Sequence, residues 1–454
     1  MTAIANWHDE SVWRLLDAEG GGVDGVIAAA ASADARNASD VARLRKQFDA
    51  ALVTAALELT AARRKARGKF TRADTLWCDV SSVEQASSER VAAWKAARIA
   101  SVLGSGAAIF DVCCGLGGDA MALVDAGLTV DAIDLEPRRA WMTAKNAQCT
   151  ARAVAAESLD LAGAFVHADP ARRDERGGHT WNLDHHQPNR AWIEQTLRVA
   201  RGGAMKFSPG VDRRALPEFA LEWEWISDGA SLVQAIAWQG EFALRVGETR
   251  ATVIGSRATV IGSRATVIDT RATVIGSRAT VANEIGEGHE RTTIRVGGNS
   301  GENVITCHAE SLVGIPDDAR SHRLRIGTQL RAGEYLSEPI AAVERAQLLT
   351  QATLCSDARE ISFGLGLLAS SAPLRAPWFE SFEICGEAPV RADALLTALG
   401  EHSLTPRSVR VRGAAADADK LTRALGCTPS GTGVVFIFRS GNSARAVITR
   451  VVGA

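Results

Sequence analysis

Three aspartates, each at the end of a short apolar run, are the residues of this sequence best suited to chemistry. Asp111 comes just before a glycine-rich turn at residues 115–118 (Gly-Leu-Gly-Gly), and a helix-compatible segment follows that turn. Asp134 ends a second apolar run, and Asp169 ends a third, directly before Pro170. Strand, glycine turn and helix in this order are typical of a nucleotide-binding α/β unit, because glycine lets the backbone approach a ligand that a Cβ atom would exclude.

The spacing around the turn favours S-adenosylmethionine over a dinucleotide. Asp111 precedes the turn, where a carboxylate suits the cationic amino group of that donor, and Asp134 could accept hydrogen bonds from both hydroxyls of a ribose. The glycines lack the GxGxxG spacing of the dinucleotide fingerprint. The sequence therefore predicts methyl transfer, and a structural or degenerate nucleotide fold is the alternative.

Asp169 and Pro170 are the predicted catalytic residues. Transfer from a sulfonium is an in-line displacement, so the protein mainly positions donor and acceptor. A carboxylate and a fixed backbone carbonyl at this strand end could accept hydrogen bonds from an exocyclic or amide NH₂ group. Amine methyltransferases carry Asp/Asn/Ser-Pro-Pro-aromatic at this point, whereas this chain continues with Ala171 and Arg172. The departure weakens the prediction of base methylation and leaves phosphate binding by Arg172 and Arg173 open.

The segment after this strand is predicted to bind the acceptor. Residues 177–188 contain three histidines, but no carboxylate or cysteine at helical spacing completes a metal site, so a substrate loop is the preferred interpretation. Trp181 in this loop either stacks on a base or packs in the protein. Lys206, on a later strand, is either a salt-bridge partner or a substrate contact.

The composition is that of an ordinary globular protein. The chain has 454 residues and a net charge of −2, which predicts two or three domains and requires local basic patches for any anionic partner. Its eight cysteines form no C-x-x-C pair, which argues against a disulfide framework and against zinc. The sequence contains no run of about 18 apolar residues, so no membrane span is predicted. We expect a cytoplasmic protein without metal.

The predicted domains are a helical domain at 1–103, a Rossmann-like core at 104–330 and an α+β module at 331–454. One helix is predicted over residues 39–66, and Ser82 is placed to head a capping box with Gln85 for a helix that continues to Ala100. Residues 63–72 hold six basic and no acidic residues, which form either a solvated helix face or a phosphate-contacting surface.

The core and the C-terminal module differ in the predicted order of strands and helices. Strands and helices alternate from residue 104 to about 239, as a doubly wound parallel sheet requires, and end in an antiparallel hairpin. Residues 250–281 repeat the heptapeptide Arg-Ala-Thr-Val-Ile-Gly-Ser, whose units either pair as short strands or loop out. The last stretch predicts a βαβαββ order, and its second strand carries Arg407, Arg410 and Arg412.

Several segments together resemble a bacterial family of class I S-adenosylmethionine-dependent methyltransferases that end in a THUMP-like domain. The segments include ARRKARGKF, EQASSERVAAWKAAR, DVCCGLGGD, VDAIDLEP, DPARR, KFSPGVD, EWISDGA and EYLSEPIAAVERA. The resemblance covers most of the chain, except the first 35 residues, the repeat and about 283–325. It implies catalysis near Asp169 and Pro170. The predicted donor-binding residues are Gln85, Asp111, Cys113, Gly115, Gly117, Asp119, Asp134 and Leu135.

The resemblance also implies a partner. True THUMP domains bind tRNA, and the core is more distantly similar to RNA cap guanine-N2 methyltransferases, so structured RNA is the implied partner. The fold class is predicted as α/β, with a Rossmann-like class I methyltransferase core, an N-terminal helical domain and a C-terminal ferredoxin-like (THUMP-like) module. The predicted function is methylation of a base nitrogen of tRNA or rRNA. The alternatives are a small-molecule or protein methyltransferase and an RNA-binding protein that keeps the donor site without turnover.

Overall fold

The structure is a computed structural model that describes residues 7–19, 25–172, 183–255, 269–275, 279–286, 289–297, 304–317, 324–354, 356–441 and 443–452. Its contacts divide the chain into two compact units. The first unit comprises Met1–Glu248 and Gly262–Ser311, and the second comprises Thr249–Ile261 and Leu312–Ala454. The helices that precede the first strand thus cluster with the sheet that follows them, and the division into three domains stays a prediction.

Helices dominate the first hundred residues and alternate with strands afterwards. In chain order the α-helices are α1 (Glu10–Glu19), α2 (Val26–Ala31), α3 (Ala38–Arg45), α4 (Ala50–Ala66), α5 (Val80–Gln85), α6 (Glu89–Leu103), α7 (Gly118–Asp125), α8 (Pro137–Ala147), α9 (Arg190–Val199), α10 (Ala341–Ala346), α11 (Leu349–Ala352), α12 (Ala392–Glu401) and α13 (Ala418–Ala424). Within the described ranges, no helix combines the length and the apolar composition that crossing a membrane requires.

The strands occur in both units. In chain order they are β1 (Ala108–Val112), β2 (Thr129–Asp134), β3 (Thr150–Ala153), β4 (Phe165–Ala168), β5 (Ala171–Arg172), β6 (His186–Gln187), β7 (Gly202–Phe207), β8 (Glu222–Asp228), β9 (Ser231–Gly240), β10 (Thr249–Ile254), β11 (Asp269–Ile275), β12 (Ala279–Gly286), β13 (His289–Gly297), β14 (Val304–Gly314), β15 (Arg325–Ile326), β16 (Tyr335–Pro339), β17 (Arg359–Glu360), β18 (Leu368–Ser370), β19 (Phe379–Ala388), β20 (Pro406–Arg412), β21 (Gly433–Ser440) and β22 (Ser443–Val451).

The sheet of the first unit is doubly wound, as the sequence predicts. Seven of its strands lie in the order β3-β2-β1-β4-β7-β9-β8. The pairs among β1, β2, β3, β4 and β7 are parallel, whereas β9 is antiparallel to both of its neighbours. The predicted hairpin of β8 and β9 is confirmed. The strand order reverses beside β1, and ligands of open α/β sheets bind at such a switch point.

The register of the central strands puts polar residues on one face of the sheet. Asp111 on β1 lies opposite His167 on β4, and His167 lies opposite Ala204 on β7. Paired residues of neighbouring strands share a face, and so do residues two apart on one strand, which places Asp111, His167 and Lys206 on the same side. These three side chains are therefore brought together although 95 positions separate the first from the last.

Helix α6 packs against the sheet of the first unit through buried polar contacts. Arg98 donates to both carboxylate oxygens of Glu222 on β8, at 3.1 and 2.6 Å, and lies 4.2 Å from the ring centre of Trp238. The Trp94 indole donates to Glu224 at 2.8 Å. Removing one partner of such a pair leaves a buried charge uncompensated, so these contacts fix where α6 lies on the sheet.

Two predictions about the N-terminal helices are wrong in detail. The single helix predicted over 39–66 is two helices, because Asp49 caps a new one by accepting from the backbone of Ala51. The helix predicted to start at Ser82 is also divided. Asp79, not Ser82, caps α5, and the Ser88 hydroxyl caps α6. The break at residues 86–88 turns the chain at the edge of the cavity described below.

The second unit contains an eight-stranded sheet in the order β15-β17-β18-β16-β19-β22-β21-β20. Its last part, from β19 to β22, has the predicted βαβαββ order of elements. The prediction of a ferredoxin-like fold is wrong, because that fold has the order βαββαβ. Apolar residues fill both faces of this sheet: Leu395 and Leu399 pack with Ile437 in one cluster, and Phe382 packs with Phe436 in another.

Candidate functional site

A cavity of about 1060 Å³ opens where the central strands of the first unit end. Its volume is slightly above the usual range for ligand pockets, roughly 300–1,000 Å³. Ten of the predicted site residues line it: Gln85, Asp111, Cys113, Gly115, Asp119, Asp134, Leu135, Asp169, Pro170 and Lys206. The structure thus brings together carboxylates that the sequence places at the ends of three separate strands.

The glycine-rich turn has a backbone that few residues other than glycine adopt. Gly115 and Gly117 have φ of 60° and 86°, and Cys113 has φ of 63°. Gly117 precedes α7 and does not line the cavity; a Cβ atom there would lie 3.0 Å from the side chain of Thr143. Gly117 therefore serves the close packing of the turn against α8, whereas Gly115 borders the cavity.

Asp134 is anchored by backbone groups at the end of β2. Its two carboxylate oxygens accept one N–H each, from Gly115 and from Glu136, both at 2.9 Å. Burial raises the pKa of Asp134, and these two backbone donors partly offset the increase. Each oxygen keeps a lone pair for a further donor, such as a ribose hydroxyl. The next residue, Leu135, is 53% exposed and gives the cavity an apolar wall.

Asp111 is buried, with one carboxylate oxygen held and the other open. Oδ1 lies 2.7 Å from Nδ1 of His167, while Oδ2 is buried and forms no hydrogen bond within the described part of the chain. Burial raises the pKa of Asp111, and the contact with His167 lowers it in part. A buried acceptor without a partner costs about 1–3 kcal/mol, so a donor in the cavity that binds Oδ2 would be favoured.

A buried lysine that sequence reasoning missed lies behind this carboxylate. Lys95 Nζ on α6 lies 2.6 Å from Oδ1 of Asp119 and 3.3 Å from Nε2 of His167. Burial would raise the pKa of Asp119, but nearby cations, above all Lys95, outweigh it and hold that pKa well below its usual value. Asp119 therefore lines the cavity as an ion-pair partner. The signal for Lys95 and His167 was a polar residue inside an otherwise apolar segment.

The predicted catalytic residues lie at the end of β4. Asp169 Oδ2 lies 2.5 Å from Nζ of Lys206, and Oδ1 forms no hydrogen bond with a residue that the structure describes. Burial lowers the pKa of Lys206, but Asp169 and Asp119 outweigh it, so the net shift is upward and the lysine is a cation. Of the two interpretations of Lys206, the salt bridge is observed. Lys206 also donates to the backbone carbonyl of Gln85 at 3.3 Å.

Part of the predicted acceptor region cannot be placed. Arg173 and Trp181 lie outside the described residues, and Arg172 is described only by its backbone, which forms β5 and pairs with β6. His186, Gln187 and Pro188, which follow this gap, line the cavity. The described end of this segment thus lies at the cavity, and no metal-binding cluster of His, Cys, Asp or Glu occurs among the described residues.

The thiols in the turn are poor nucleophiles. Burial raises the pKa of Cys113 and Cys114 well above the usual thiol value, and nearby aspartates add to the increase. The thiolate, not the thiol, is the nucleophile, so both side chains are inert at neutral pH. This supports the interpretation that they pack beside a ligand.

The basic stretch at 63–72 is engaged within the first unit. Lys69 donates to the backbone carbonyls of Val83, Glu84 and Ala86, which holds α5 and the break after it. The other five side chains also have partners, namely Arg63 with Leu76, Arg64 with Ala31, Lys65 with Glu84, Arg67 with Asp74 and Arg72 with Asp125. The phosphate-contacting surface stays a prediction.

Two of the three arginines on β20 of the second unit, Arg410 and Arg412, are likewise paired. Arg410 lies 2.5 Å from Glu338 and 2.8 Å from Glu380, and stacks 4.7 Å from the ring centre of Phe382. Arg412 lies 3.1 Å from Glu338. The predicted cationic face of this strand is therefore largely neutralised by carboxylates of the same unit.

Comparison with solved structures gives the fold a name. A putative methyltransferase from Porphyromonas gingivalis W83 is similar over 94% of this chain and 98% of its own, with a TM-score of 0.63 and 14% identity. The strand order, with its antiparallel β9, agrees with this likeness. The chain has the class I methyltransferase fold.

Other similarities are more distant. An rRNA methylase from Streptococcus thermophilus matches 32% of this chain and 94% of its own, with a TM-score of 0.24 and 15% identity. Magnesium protoporphyrin IX methyltransferase from Synechocystis PCC 6803, solved with bound SAM, matches 51% of this chain and 98% of its own, with a TM-score of 0.26 and 14% identity. No protein-family model and no curated protein matches the sequence.

The cavity fits the methyl donor that the sequence predicts for a class I methyltransferase fold. Asp111 Oδ2 is an open buried acceptor that suits an ammonium group, and Asp134 retains acceptor capacity for hydroxyls. Leu135 supplies apolar surface for a planar base. Asp111 precedes the glycine-rich turn, and Asp134 and Leu135 follow it in the sequence. The assignment of individual donor contacts stays a prediction.

Proposed function

We propose that the protein is an S-adenosylmethionine-dependent methyltransferase. The observation that carries the proposal is the buried Oδ2 of Asp111, which has no hydrogen bond among the described residues and belongs to a residue that lines the same cavity as the anchored carboxylate of Asp134. When bound, the donor supplies an electrophilic methyl group on a sulfonium. The residues of this chain bind and orient it: Asp111 accepts from its amino group, Asp134 accepts from its ribose hydroxyls, and Leu135 packs on its base.

The acceptor that we propose is a base nitrogen of structured RNA, tRNA or rRNA, in the cytoplasm. Asp169 Oδ1 is available to accept a hydrogen bond from an exocyclic amine, while the salt bridge to Lys206 fixes Oδ2. An anionic acceptor in this position orients the amine so that its lone pair faces the donor. The βαβαββ order of elements in the second unit supports a THUMP-like module that presents the RNA.

A second candidate is a methyltransferase for a small molecule or protein. The observation that favours it is the pairing of the basic residues at 63–72 and of Arg410 and Arg412 with groups of their own unit. Nucleic-acid affinity depends on cations that can replace the counterions of phosphates. Paired cations are less available for this, and the net charge of −2 supplies no general attraction.

The test incubates the protein with labelled S-adenosylmethionine and total RNA from a strain that lacks the gene, followed by nucleoside mass spectrometry. We expect one methylated base nitrogen, and Asp169→Ala is expected to lower the rate about 10²-fold or more. The matched control is Asp212→Ala, an exposed carboxylate paired with Arg214 away from the cavity.

Each outcome separates the candidates. Transfer to small molecules or protein but not to RNA would favour the second candidate. Donor binding without transfer to any acceptor would support a binding protein without turnover. Full activity of Asp169→Ala would contradict the role of that carboxylate.

A further inference from the structure

A series of polar contacts in the first unit links Asp119, Lys95 and His167 and ends at Asp111. Asp111 Oδ1 lies 2.7 Å from His167 Nδ1, His167 Nε2 lies 3.3 Å from Lys95 Nζ, and Lys95 Nζ lies 2.6 Å from Asp119 Oδ1. Asp111, His167 and Lys95 are each only 1% exposed. The four residues come from β1, β4, α6 and α7, so the series joins elements that the sequence keeps apart.

The protons of this series can be assigned from the donors and acceptors present. The Lys95 ammonium has three N–H groups and no acceptor. Its Nζ lies 2.6 Å from Asp119 Oδ1 in an ion pair, donates to the hydroxyl of Ser87 at 3.2 Å, and lies 3.3 Å from His167 Nε2. Nε2 is then an acceptor, which leaves the ring proton on Nδ1, because the partner of one ring nitrogen sets the tautomer.

The tautomer determines what Asp111 presents to the cavity. Nδ1–H of His167 donates to Oδ1 of Asp111, so this oxygen is occupied and its position is fixed. Oδ2 is the oxygen without a hydrogen bond among the described residues. The contact thus decides which oxygen of Asp111 is offered to a ligand.

We propose that His167 and Lys95 are positioning residues that hold the Asp111 carboxylate with one oxygen turned to the amino group of the methyl donor. This inference rests on the proposed function. Neither residue contacts the donor directly. Lys95 fixes the His167 tautomer, and His167 fixes Asp111.

The groups around Asp111 determine the direction in which its pKa changes when the contact with His167 is lost. Burial raises the pKa of Asp111, and the contact with His167 opposes the increase. Loss of that contact is therefore expected to raise this pKa further, so that the carboxylate is protonated at a higher pH. Other titratable groups interact with Asp111 or line the same cavity. They include Lys95 from α6, Asp119 from α7, Asp134 from β2, Asp169 after β4, Lys206 from β7, Asp228 from β8, His186 from β6, and Cys113 and Cys114 in the turn.

Two isosteric variants separate the two halves of the histidine. The amide of Asn lies where Nδ1 lies in histidine, and the amide of Gln lies where Nε2 lies. His167→Asn keeps a donor to Asp111 and loses the contact with Lys95, whereas His167→Gln keeps the contact with Lys95 and loses the donor to Asp111. Because both substitutions retain a polar side chain of similar size, they are a matched pair for one interaction.

The experiment measures the dissociation constant of S-adenosylmethionine by calorimetry between pH 5 and 9 for the wild type and both variants. We expect His167→Gln to weaken binding at neutral pH by roughly tenfold and to move the pH at which affinity falls upward. His167→Asn is expected to stay within about threefold of the wild type, since the charge-assisted hydrogen bond is kept. A purely structural role of His167 would not move the pH profile of one variant alone.

The outcomes also distinguish this inference from the proposed function. If the wild type binds no donor, the proposed function fails. If the wild type binds and His167→Gln has the same affinity and pH profile, the inference is overturned. If neither variant folds, the ¹⁵N chemical shifts of His167 in the wild type decide: an Nδ1–H tautomer supports the inference, and an Nε2–H tautomer overturns it.

Discussion

Asp134 and Asp111, the two carboxylates at the donor end of the cavity, are held by different kinds of groups. Asp134 accepts from two backbone N–H groups, one of which belongs to Gly115 in the turn. Asp111 accepts from one side chain and keeps its second oxygen open. Substitution of Asp134 therefore loosens the turn as well as a ligand contact, whereas Asp111 acts through a single open atom.

Asp134→Ala is expected to lower donor affinity by at least about tenfold, because a charged acceptor of both backbone and ribose hydrogen bonds is lost. The control is Asp131→Ala on the same strand, whose carboxylate pairs with Arg152 at 2.7 Å on the surface. We expect calorimetry to show unchanged donor affinity for this control. Equal affinities of the two variants would contradict the assignment of Asp134.

Donor affinity is expected to fall with decreasing pH, starting above the usual aspartate pKa of 3.8. Because burial raises the pKa of Asp111, its carboxyl takes up a proton at a higher pH than an ordinary aspartate does. Only the carboxylate attracts an ammonium, so affinity is highest above the raised pKa and is lost below it. Calorimetry in two buffers of different ionisation enthalpy should show proton release on binding, which Asp111→Asn should reduce.

At the level of secondary-structure elements, two short irregular segments position the site. The turn between β1 and α7 brings the backbone to the cavity, and the break between α5 and α6 brings Gln85, Ser87 and Ser88 to its rim. Ser88 accepts from the α6 backbone and donates to Asp228 at 2.7 Å, so one hydroxyl both begins the helix and ties it to β8.

Gly117→Ala is expected to destabilise the protein by about 2 kcal/mol. Its φ of 86° disfavours any residue with a Cβ atom, by about 1–2 kcal/mol, and that atom would also lie 3.0 Å from Thr143. The matched control is Gly118→Ala, where the added atom would lie 3.5 Å from Phe70 in ordinary contact. Urea unfolding should show the control within about 1 kcal/mol of the wild type. An equal loss in both variants would mean that the left-handed backbone is not the cause.

Elements with a local signal could be predicted from the sequence, and those fixed by distant contacts could not. Asp111, Asp134 and Asp169 follow apolar runs, and the ends of parallel strands meet at one edge, so their grouping was predictable. Lys95 and His167 are 72 positions apart, and only the fold brings them within 3.3 Å. The break before α6 was missed because a capping serine and a serine within a helix look alike in sequence.

At the level of the whole molecule, the charges are arranged in pairs within each unit. In the first unit Lys69 donates to backbone carbonyl groups and Arg72 pairs with Asp125. In the second unit Arg410 pairs with two glutamates. Surface pairs of this kind contribute little to stability, but they reduce the number of cations that can replace counterions on a nucleic acid.

If RNA is the acceptor, its affinity is expected to depend only weakly on salt. Log K against log salt concentration should have a slope no steeper than about −2, equivalent to two or three neutralised phosphates. Filter binding at salt concentrations from about 50 to about 300 mM measures this slope. Arg410→Ala should leave the slope unchanged, because its guanidinium is held by Glu338 and Glu380. A slope of about −5 or steeper would show that the paired cations are released on binding.

The heptapeptide repeat has a consequence for how the gene can vary. Residues 249–254 in β10 and 270–275 in β11 have the same sequence, Thr-Arg-Ala-Thr-Val-Ile, and lie 21 positions, or three repeat units, apart. Loss or gain of one seven-residue unit between them would leave the sequence of both strands unaltered. Replication slippage in this segment could therefore change the copy number without changing the residues that either strand contributes, and we expect the length of the segment to vary between strains.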